Sequence, residues 1–593
     1  MSNSMFSKID PLLLASTEAD SLTLERSEML SFGYNFSEKR WEIIVKYIGD
    51  FSAIASLFPD GSPTELLGGY ALFRLTREEL DFLSQIPQII YIEKPKRIFF
   101  EVQSAKRESC ISNLPVERLG TLTGKEVAIA VIDSGIDYMH PDFRNEDGST
   151  RISYLWDQTI PPDPALQFFP PAGYSLGTLF IKSQIDAAIS APDLSSRNAL
   201  CPSTDPSGHG THVAGIAAGN GAASKGRLQG VAPNSPLWIM KLGSPSPNGF
   251  PSTSQLMQAV DFCVRTSMEK QVPLVINLSF GNTYGSHSGT SLLETYLDEV
   301  AQMGQISIVI GTGNEAANGG HVSGSASSLS PEKVEFVIAD YQTGLSIQIW
   351  KNYWNELSFF LEGPASLSGT SPILLSNTPG TWQYRIGSTN LLVYVGAPSP
   401  YNLFQEIYLD FLPADSYLDA GVWRIVVRGG NEKNGTWEMW MPALSARNRA
   451  TRFLISTPET TLTIPSTARF PISVGAYDGI SSSLAPFSGR GYTWNYQLIK
   501  PDLVAPGVDI TSCAPGGGYS TRSGTSMAAP FVSGSCALLM EWGIINQNDP
   551  FLYGQKLKSY LIFGAKRLPF ANEYPNSLTG WGALCLRDSF PNP

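Results

Sequence analysis

The sequence predicts an α/β protein with a mainly parallel central sheet, preceded by a small α+β domain and interrupted by an inserted antiparallel β sandwich. Three observations carry this. From about residue 115, near-continuous apolar segments ("EVAIAVID", "PLWIMKL", "PLVINLSF", "ISIVIGTG") alternate with helix-like ones such as "STSQLMQAVDFCVRTSMEK" and "TSLLETYLDEVAQMG". Strands that are apolar on both faces and separated by helices mark a parallel sheet covered on both sides. Over 332–452 the helical signal vanishes, and "LSIQIWKN", "LLVYVGA", "EIYLDFL", "GVWRIVVRGG" and "GTWEMWMP" are separated by Gly, Pro, Ser and Asn, the pattern of a sandwich or jelly roll. Ahead of both regions, residues 1–96 mix stretches read as helical ("SEKRWEIIVKYIGDF", "TREELDFLSQI") with short strands ("YALFRL", "QIIYIE").

The expected order is therefore an α+β domain over 1–96, a first part of the α/β domain over 97–331, the insert over 332–452 and the second part over 453–593. With 593 residues the chain exceeds one ordinary core, which agrees with several domains. The polar segment "PKRIFFEVQSAKRESCISNLP" reads as a linker. Six tryptophans fall in the insert (Trp350, Trp354, Trp382, Trp423, Trp437, Trp440); a core role is favoured, since aromatics dominate the packing of a small β domain. No repeat of solenoid period is visible.

Composition narrows the function classes. Hydrophobic residues make up 42% and charged ones 16%, which fits a packed globular protein rather than a disordered one. The net charge of -12, without a basic block, argues against a nucleic-acid partner. No apolar run is read as a bilayer span of ~20 residues, and "MSNSMFSKIDPLLLASTEADS" lacks the basic and apolar regions of a signal peptide. The expectation is a soluble protein made in the cytoplasm, with no membrane partner. The six cysteines show no metal-type pairing, and most are read as reduced core residues.

Four residues at strand ends and helix starts carry the chemistry. In "VAIAVIDSGIDYMHPDF" an apolar strand ends at Asp133, where a buried carboxylate needs a partner. In "SGHGTHVAGIAAG" His209 heads a helix of small residues. In "SGTSMAAPFVSGSCALL" Ser526 stands at the start of another, where unpaired N–H groups and the helix dipole favour developing negative charge; Gly534 allows close approach of a second backbone. A serine hydroxyl becomes a nucleophile when histidine takes its proton, and aspartate holds that histidine in the right tautomer. In "VIGTGNEAAN" Asn314 is placed to donate to an oxyanion beside the Ser526 N–H, a contact worth roughly 100- to 1,000-fold in turnover. Taken singly, Ser526 reads as an N-cap and His209 as a core histidine; their joint order overturns those readings.

These segments, together with "GVAP", "INLSFG", "GTGNE" and "KPDLVAPGVDI", resemble the signature motifs of the subtilases, serine endopeptidases of the subtilisin type, over about 115–331 and 452–542. The resemblance implies a subtilisin-like three-layer fold and an acyl-enzyme mechanism with Asp133, His209 and Ser526. It also implies a pocket for the residue before the scissile bond lined by Ser279, Phe280, Gly281, Gly311, Thr312 and Gly313, and pairing of extended substrate with Lys241, Leu242 and Gly243. His212 is read as structural. Asp142 stands where some relatives bind calcium; with no recognisable partner loop, calcium is left open, no other metal or cofactor is assigned, and a helix or turn role is favoured. Residues 1–96 resemble a subtilase prodomain, a chaperone and product-like inhibitor, with self-cleavage expected near 93–100. The prodomain, the insert and the tail "DPFLYGQKLKSYLIFGAKRL" together resemble the Csp germination proteases of spore-forming clostridia. That likeness implies storage in the spore, a retained prodomain, a protein or peptide substrate, and activation of a cortex-hydrolase precursor. The alternatives are a prodomain-blocked regulatory scaffold, a general degradative bacterial subtilase, and a carbohydrate-binding role for the insert.

Overall fold

The computed structural model describes residues 8–96, 99–100, 109–111, 119–243, 251–365, 367, 371–397, 399–494 and 498–591. At its centre is a nine-stranded sheet. Its main path runs Ser483–Leu484, Ile472–Asp478, Ile306–Gly311, Leu274–Leu278, Ala128–Asp133, Leu237–Lys241, Ile152–Asp157 and Thr178–Ile181, with Leu503–Pro506 also paired to Ile472–Asp478. The inner pairings are parallel, and antiparallel ones occur at the edges. Side-chain alternation divides the core in two. Ile129 and Val131 pack with the helices His209–Ala218 and Thr525–Met540; Ala128, Ala130 and Ile132 pack with Thr253–Lys270 and Leu292–Val300. Three layers follow from a strand with two apolar faces.

The two small-residue helices cross closely. A Cβ added to Gly534 would lie 2.9 Å from the Ala217 carbonyl oxygen and 2.5 Å from Val231 Cβ, so the crossing requires glycine. The stretch Thr525–Ile545 is long and apolar enough to span a bilayer, a length the sequence reading missed, yet 89% of its apolar window is buried inside the protein.

The N-terminal unit is a five-stranded antiparallel sheet with the helices Phe51–Ala55 and Arg77–Gln85. "SEKRWEIIVKYIGDF", expected to be helical, forms the strand Arg40–Tyr47 followed by the short helix. Its pattern misleads because both faces are buried: Ile43 and Val45 enter the unit's own core, while Ile44 and, on the neighbouring strand, Leu72 pack with Leu256 and Tyr296 of the central domain. Carboxylates from this unit meet two helix starts. Ser254, in the first turn of Thr253–Lys270, donates to Glu42, and the Leu292 N–H donates to Glu93 at 3.3 Å. Negative charge is favoured there by the helix dipole.

A six-stranded and a five-stranded antiparallel sheet enclose a further core that includes Phe336, Ile349, Phe411 and Trp423. The first strand of this unit is His321–Ala326, paired with Gly435–Trp440, so it begins before the boundary at 332. Trp350, Trp423, Trp437 and Trp440 are buried, whereas Trp354 and Trp382 are exposed. The unit also touches the N-terminal one: Ser27 donates to Asp410, Arg26 donates to the Ala414 carbonyl at 3.3 Å, and Leu392, Tyr394 and Tyr408 join the N-terminal core. Within the expected linker, Phe99–Phe100 forms a strand. Cys110 and Cys585 are joined in a disulfide, a pair hidden from sequence by its separation of 475 residues; Cys201, Cys263, Cys513 and Cys536 are buried thiols outside it.

Candidate active site

Asp133 closes its strand and His209 opens its helix, so the sheet and the helix each deliver one side chain to the same point. His209 Nδ1 lies 2.6 Å from Asp133 Oδ1, both groups buried, and the Ser134 N–H donates to the same carboxylate oxygen at 2.7 Å. A residue the sequence reading passed over fixes this arrangement. Asp205 accepts from Ser134 Oγ (2.7 Å) and the Gly208 N–H (3.0 Å) with one oxygen, and from the Thr211 N–H (2.8 Å) and hydroxyl (2.7 Å) with the other. One buried carboxylate thereby caps the helix and ties it to the strand end. Its signal was an Asp shortly before a helix start, in "TDPSGHGTH".

Ser526 is the second residue of the helix Thr525–Met540. Its hydroxyl donates to the Ser279 carbonyl at 3.0 Å, and Ser279 Oγ donates to the Ser526 carbonyl at 3.2 Å. The second bond exists because of Pro530. Standing four residues on, Pro530 has no N–H to offer the Ser526 carbonyl. Ser279 Oγ also accepts from Asn277 Nδ2 (2.8 Å), whose Oδ1 accepts from Ser533 Oγ (2.8 Å). This chain of buried polar groups pins the helix to the strand end; Asn277 and Ser533 were not anticipated.

Asn314 lies just beyond the strand Ile306–Gly311. Its Oδ1 accepts from the Thr525 N–H at 3.0 Å, and the Gly313 N–H donates to Thr525 Oγ1 at 3.0 Å. With Oδ1 engaged beside Ser526, Nδ2 is the donor this side chain can turn toward an oxyanion.

The expected pocket residues divide into two groups. Phe280 and Gly281 pair antiparallel with Phe100 and Phe99, so the chain following the N-terminal unit lies along this segment as an added strand. Gly311, Thr312 and Gly313 run beside it, with the Thr463 N–H donating to the Thr312 carbonyl at 3.0 Å. Lys241, Leu242 and Gly243 depart from expectation. Lys241 pairs with both Asp133 and Asp157 inside the central sheet, and its Nζ meets buried Asp157 at 3.1 Å. The Leu242 N–H donates to the Asp133 carbonyl and the Gly243 carbonyl accepts from Gln255 Nε2. Their bonding serves the sheet, and 244–250 lie outside the described residues.

His212 faces the Ile510 and Ser520 carbonyls through Nε2 at 3.0 and 3.1 Å, and burial, then Arg522, pushes its pKa down to about 3. It is a neutral donor inside the core. Asp142 clusters with His140 and Cys513, but its Oδ1 accepts from the Ala223 N–H (2.8 Å) and its Oδ2 from Tyr519 Oη (2.8 Å) and Cys513 Sγ (3.4 Å). Protein donors hold both oxygens, and a thiol and an imidazole are poor ligands for calcium, which takes oxygen. The set does not fit that ion.

Comparison with known proteins agrees with this geometry. The model of the "Subtilase family" matches residues 124–357 and 419–582, and that of the "Csp protease B prodomain" matches 7–96. The solved Clostridium perfringens CspB protease is 37% identical, with a TM-score of 0.72, over 81% of this chain and 95% of that one. The minor extracellular protease Vpr of Bacillus subtilis (strain 168) is 24% identical over 79% of this chain and 52% of its own length. The PI-type proteinase of Lactococcus lactis subsp. cremoris is 25% identical over 73% of this chain and 23% of its own. The chain thus spans about half or less of the curated relatives' length, but nearly all of the solved CspB chain. It belongs to the subtilase family of serine peptidases and carries the prodomain of Csp protease B.

Proposed function

We propose that this chain is a serine endopeptidase in which Ser526 attacks the peptide carbonyl, His209 takes and returns the proton, Asp133 holds the histidine, and the Ser526 N–H with Asn314 Nδ2 receives the oxyanion. The observation that carries the reading is the buried His209 Nδ1 to Asp133 Oδ1 contact of 2.6 Å, set at the carboxyl end of a parallel sheet beside a strand already paired with peptide. The first substrate is the chain itself. Going from Phe99 to Phe100 the backbone passes from Gly281 to Phe280, toward Ser279, whose carbonyl holds the Ser526 hydroxyl. Self-cleavage therefore falls just C-terminal to Phe100, past the 93–100 window read from sequence. The prodomain stays bound after the cut through Glu42, Glu93 and the shared core around Ile44 and Tyr70.

The later substrate is a precursor protein such as a spore-cortex hydrolase, and the protease acts as a soluble protein stored in the spore; the likeness to the Csp proteases supports both. The two-sheet unit is a jelly-roll-like insertion that braces the prodomain through Asp410 and Ala414. A second reading, a regulatory scaffold blocked by its prodomain, draws on the strand that occupies the Phe280–Gly281 edge. A fluorophosphonate, which reacts with an activated serine, decides between them. It should label Ser526 in the wild type and nothing in a Ser526→Ala variant; a folded wild type that takes no label contradicts the proposal.

A further inference from the structure

A core role is expected of Trp440, but its buried ring lies apart from the core of the two-sheet unit, in a cluster with Trp350, Phe404 and, from the central domain, Trp494. Two imidazoles stack on the indole: His287 of the central domain, with ring centroids 4.2 Å apart, and His321, at 4.8 Å. The indole N–H donates to the Thr460 carbonyl at 3.1 Å. Thr460 has a φ of +52°, a left-handed conformation that a β-branched residue adopts only under strain. Such a residue persists only where its surroundings hold it. The loop that follows runs back to the strand ends of the site. The Leu462 carbonyl faces His287 Nδ1 at 2.7 Å, the Thr463 N–H donates to the Thr312 carbonyl at 3.0 Å, and Ile464 exchanges backbone bonds of 2.8 and 2.9 Å with Asn282. Thr461 and Arg490 exchange bonds of 2.9 and 3.1 Å, and beside Arg490 the Gly489 N–H donates to the Gly313 carbonyl at 2.8 Å. Both peptide carbonyls ahead of Asn314 are therefore fastened to parts that Trp440 and His287 hold.

We propose that Trp440 and His287 are positioning residues of the reaction: they hold the loop 460–464 against Thr312 and Gly313 and so fix the direction in which Asn314 presents its amide to the oxyanion. Neither residue touches the reacting atoms. An oxyanion donor acts only if it is aimed where charge develops, and a small misplacement from afar costs much of its effect. The stack and the two bonds it delivers, to the Thr460 and Leu462 carbonyls, supply that aim. Burial pushes the His287 pKa down to about 4, so a neutral ring makes the Leu462 contact. The two-sheet unit thereby reaches the chemistry through one of its own side chains. The inference rests on the endopeptidase reading above and adds residues that serve that same site.

The test uses the full-length, self-processed chain and one quenched fluorogenic peptide that copies residues 95–106. Trp440→Phe, which keeps a ring in the stack and removes the indole N–H, should lower kcat about tenfold or more while KM stays within about twofold. His287→Phe, which keeps a ring and removes the bond to Leu462, should act alike. A second readout separates positioning from packing. On an Asn314→Ala background either substitution should cost less than about twofold in kcat, since the amide it serves is gone. Equal losses on the two backgrounds overturn the proposal, as do single variants that keep kcat within about twofold of wild type or raise KM alone. Thermal unfolding shows which variants are folded, and if Trp440→Phe is not, His287→Phe decides. If Asn314→Ala stays uncut, the split between kcat and KM in the single variants decides. A wild type that cuts no peptide and takes no fluorophosphonate overturns the endopeptidase reading and this inference together, whereas an active wild type with unaffected variants overturns this inference alone.

Discussion

Pro530 leaves the Ser526 carbonyl without its helical donor, and Ser279 Oγ supplies the missing bond at 3.2 Å. The peptide unit of Ser526 is thereby held by the Ser279 side chain instead of by its own helix. Ser279→Ala should lower stability by about 1–2 kcal/mol, because the buried carbonyl loses its partner. Adding Pro530→Ala restores an N–H four residues on, so the double variant should recover most of that loss. Thermal unfolding midpoints of the two single variants and the double one give the coupling; strictly additive shifts would contradict the exchange.

In the proposed reaction Asn314 and Asp133 act at different moments. Asn314→Ala should reduce kcat by roughly 100- to 1,000-fold with little change in KM, since an oxyanion donor acts in the transition state. Asp133→Asn should reduce it by about 10⁴-fold, because the wrong histidine tautomer would be held. Steady-state kinetics on one peptide substrate separates them, and equal modest losses would point to a shared structural effect.

At the junction of prodomain and insert, Glu406, Asp10, Glu93, Lys96, Tyr91 and Tyr401 border one cavity. Burial, then the negative charge of Asp10, pushes the Glu406 pKa up to about 8, while Lys96 works against the rise. Burial likewise raises Asp10 and Glu93; burial opposes the charge of Lys96, but Glu93 and Asp10 raise its pKa. Because the folded pKa of Glu406 lies above its ordinary value, its protonated form favours the junction. That contribution is fully present below about pH 4.5 and is lost as pH rises toward about 8. Prodomain retention should weaken over this interval, and Glu406→Gln should flatten the dependence. Size-exclusion profiles of the self-cleaved protein from pH 5 to 9 read this directly; tighter retention at high pH would contradict it.

The parallel sheet and the Ser526 helix were legible because their signals are local: apolar strands, small-residue helices and polar residues at their ends. The strand Arg40–Tyr47 was not, since Ile43 and Ile44 are claimed by different cores and the pattern lost its period. Asp205 and Asn277 act through contacts across the fold, which spacing does not encode. The subtilase resemblance makes Lys241, Leu242 and Gly243 a substrate edge, yet sheet pairing continues through Lys241 and Asp133 claims the Leu242 N–H. Cys110 and Cys585, at opposite ends of the domain's sequence, could be paired only once the chain was folded.

The central claim is that Ser526 cuts this chain just beyond Phe100. Intact mass of the purified wild type beside Ser526→Ala tests it most directly. The account predicts two wild-type fragments divided within a few residues C-terminal to Phe100, and one uncut chain for the variant. Two whole chains, or two chains cut alike, would contradict it.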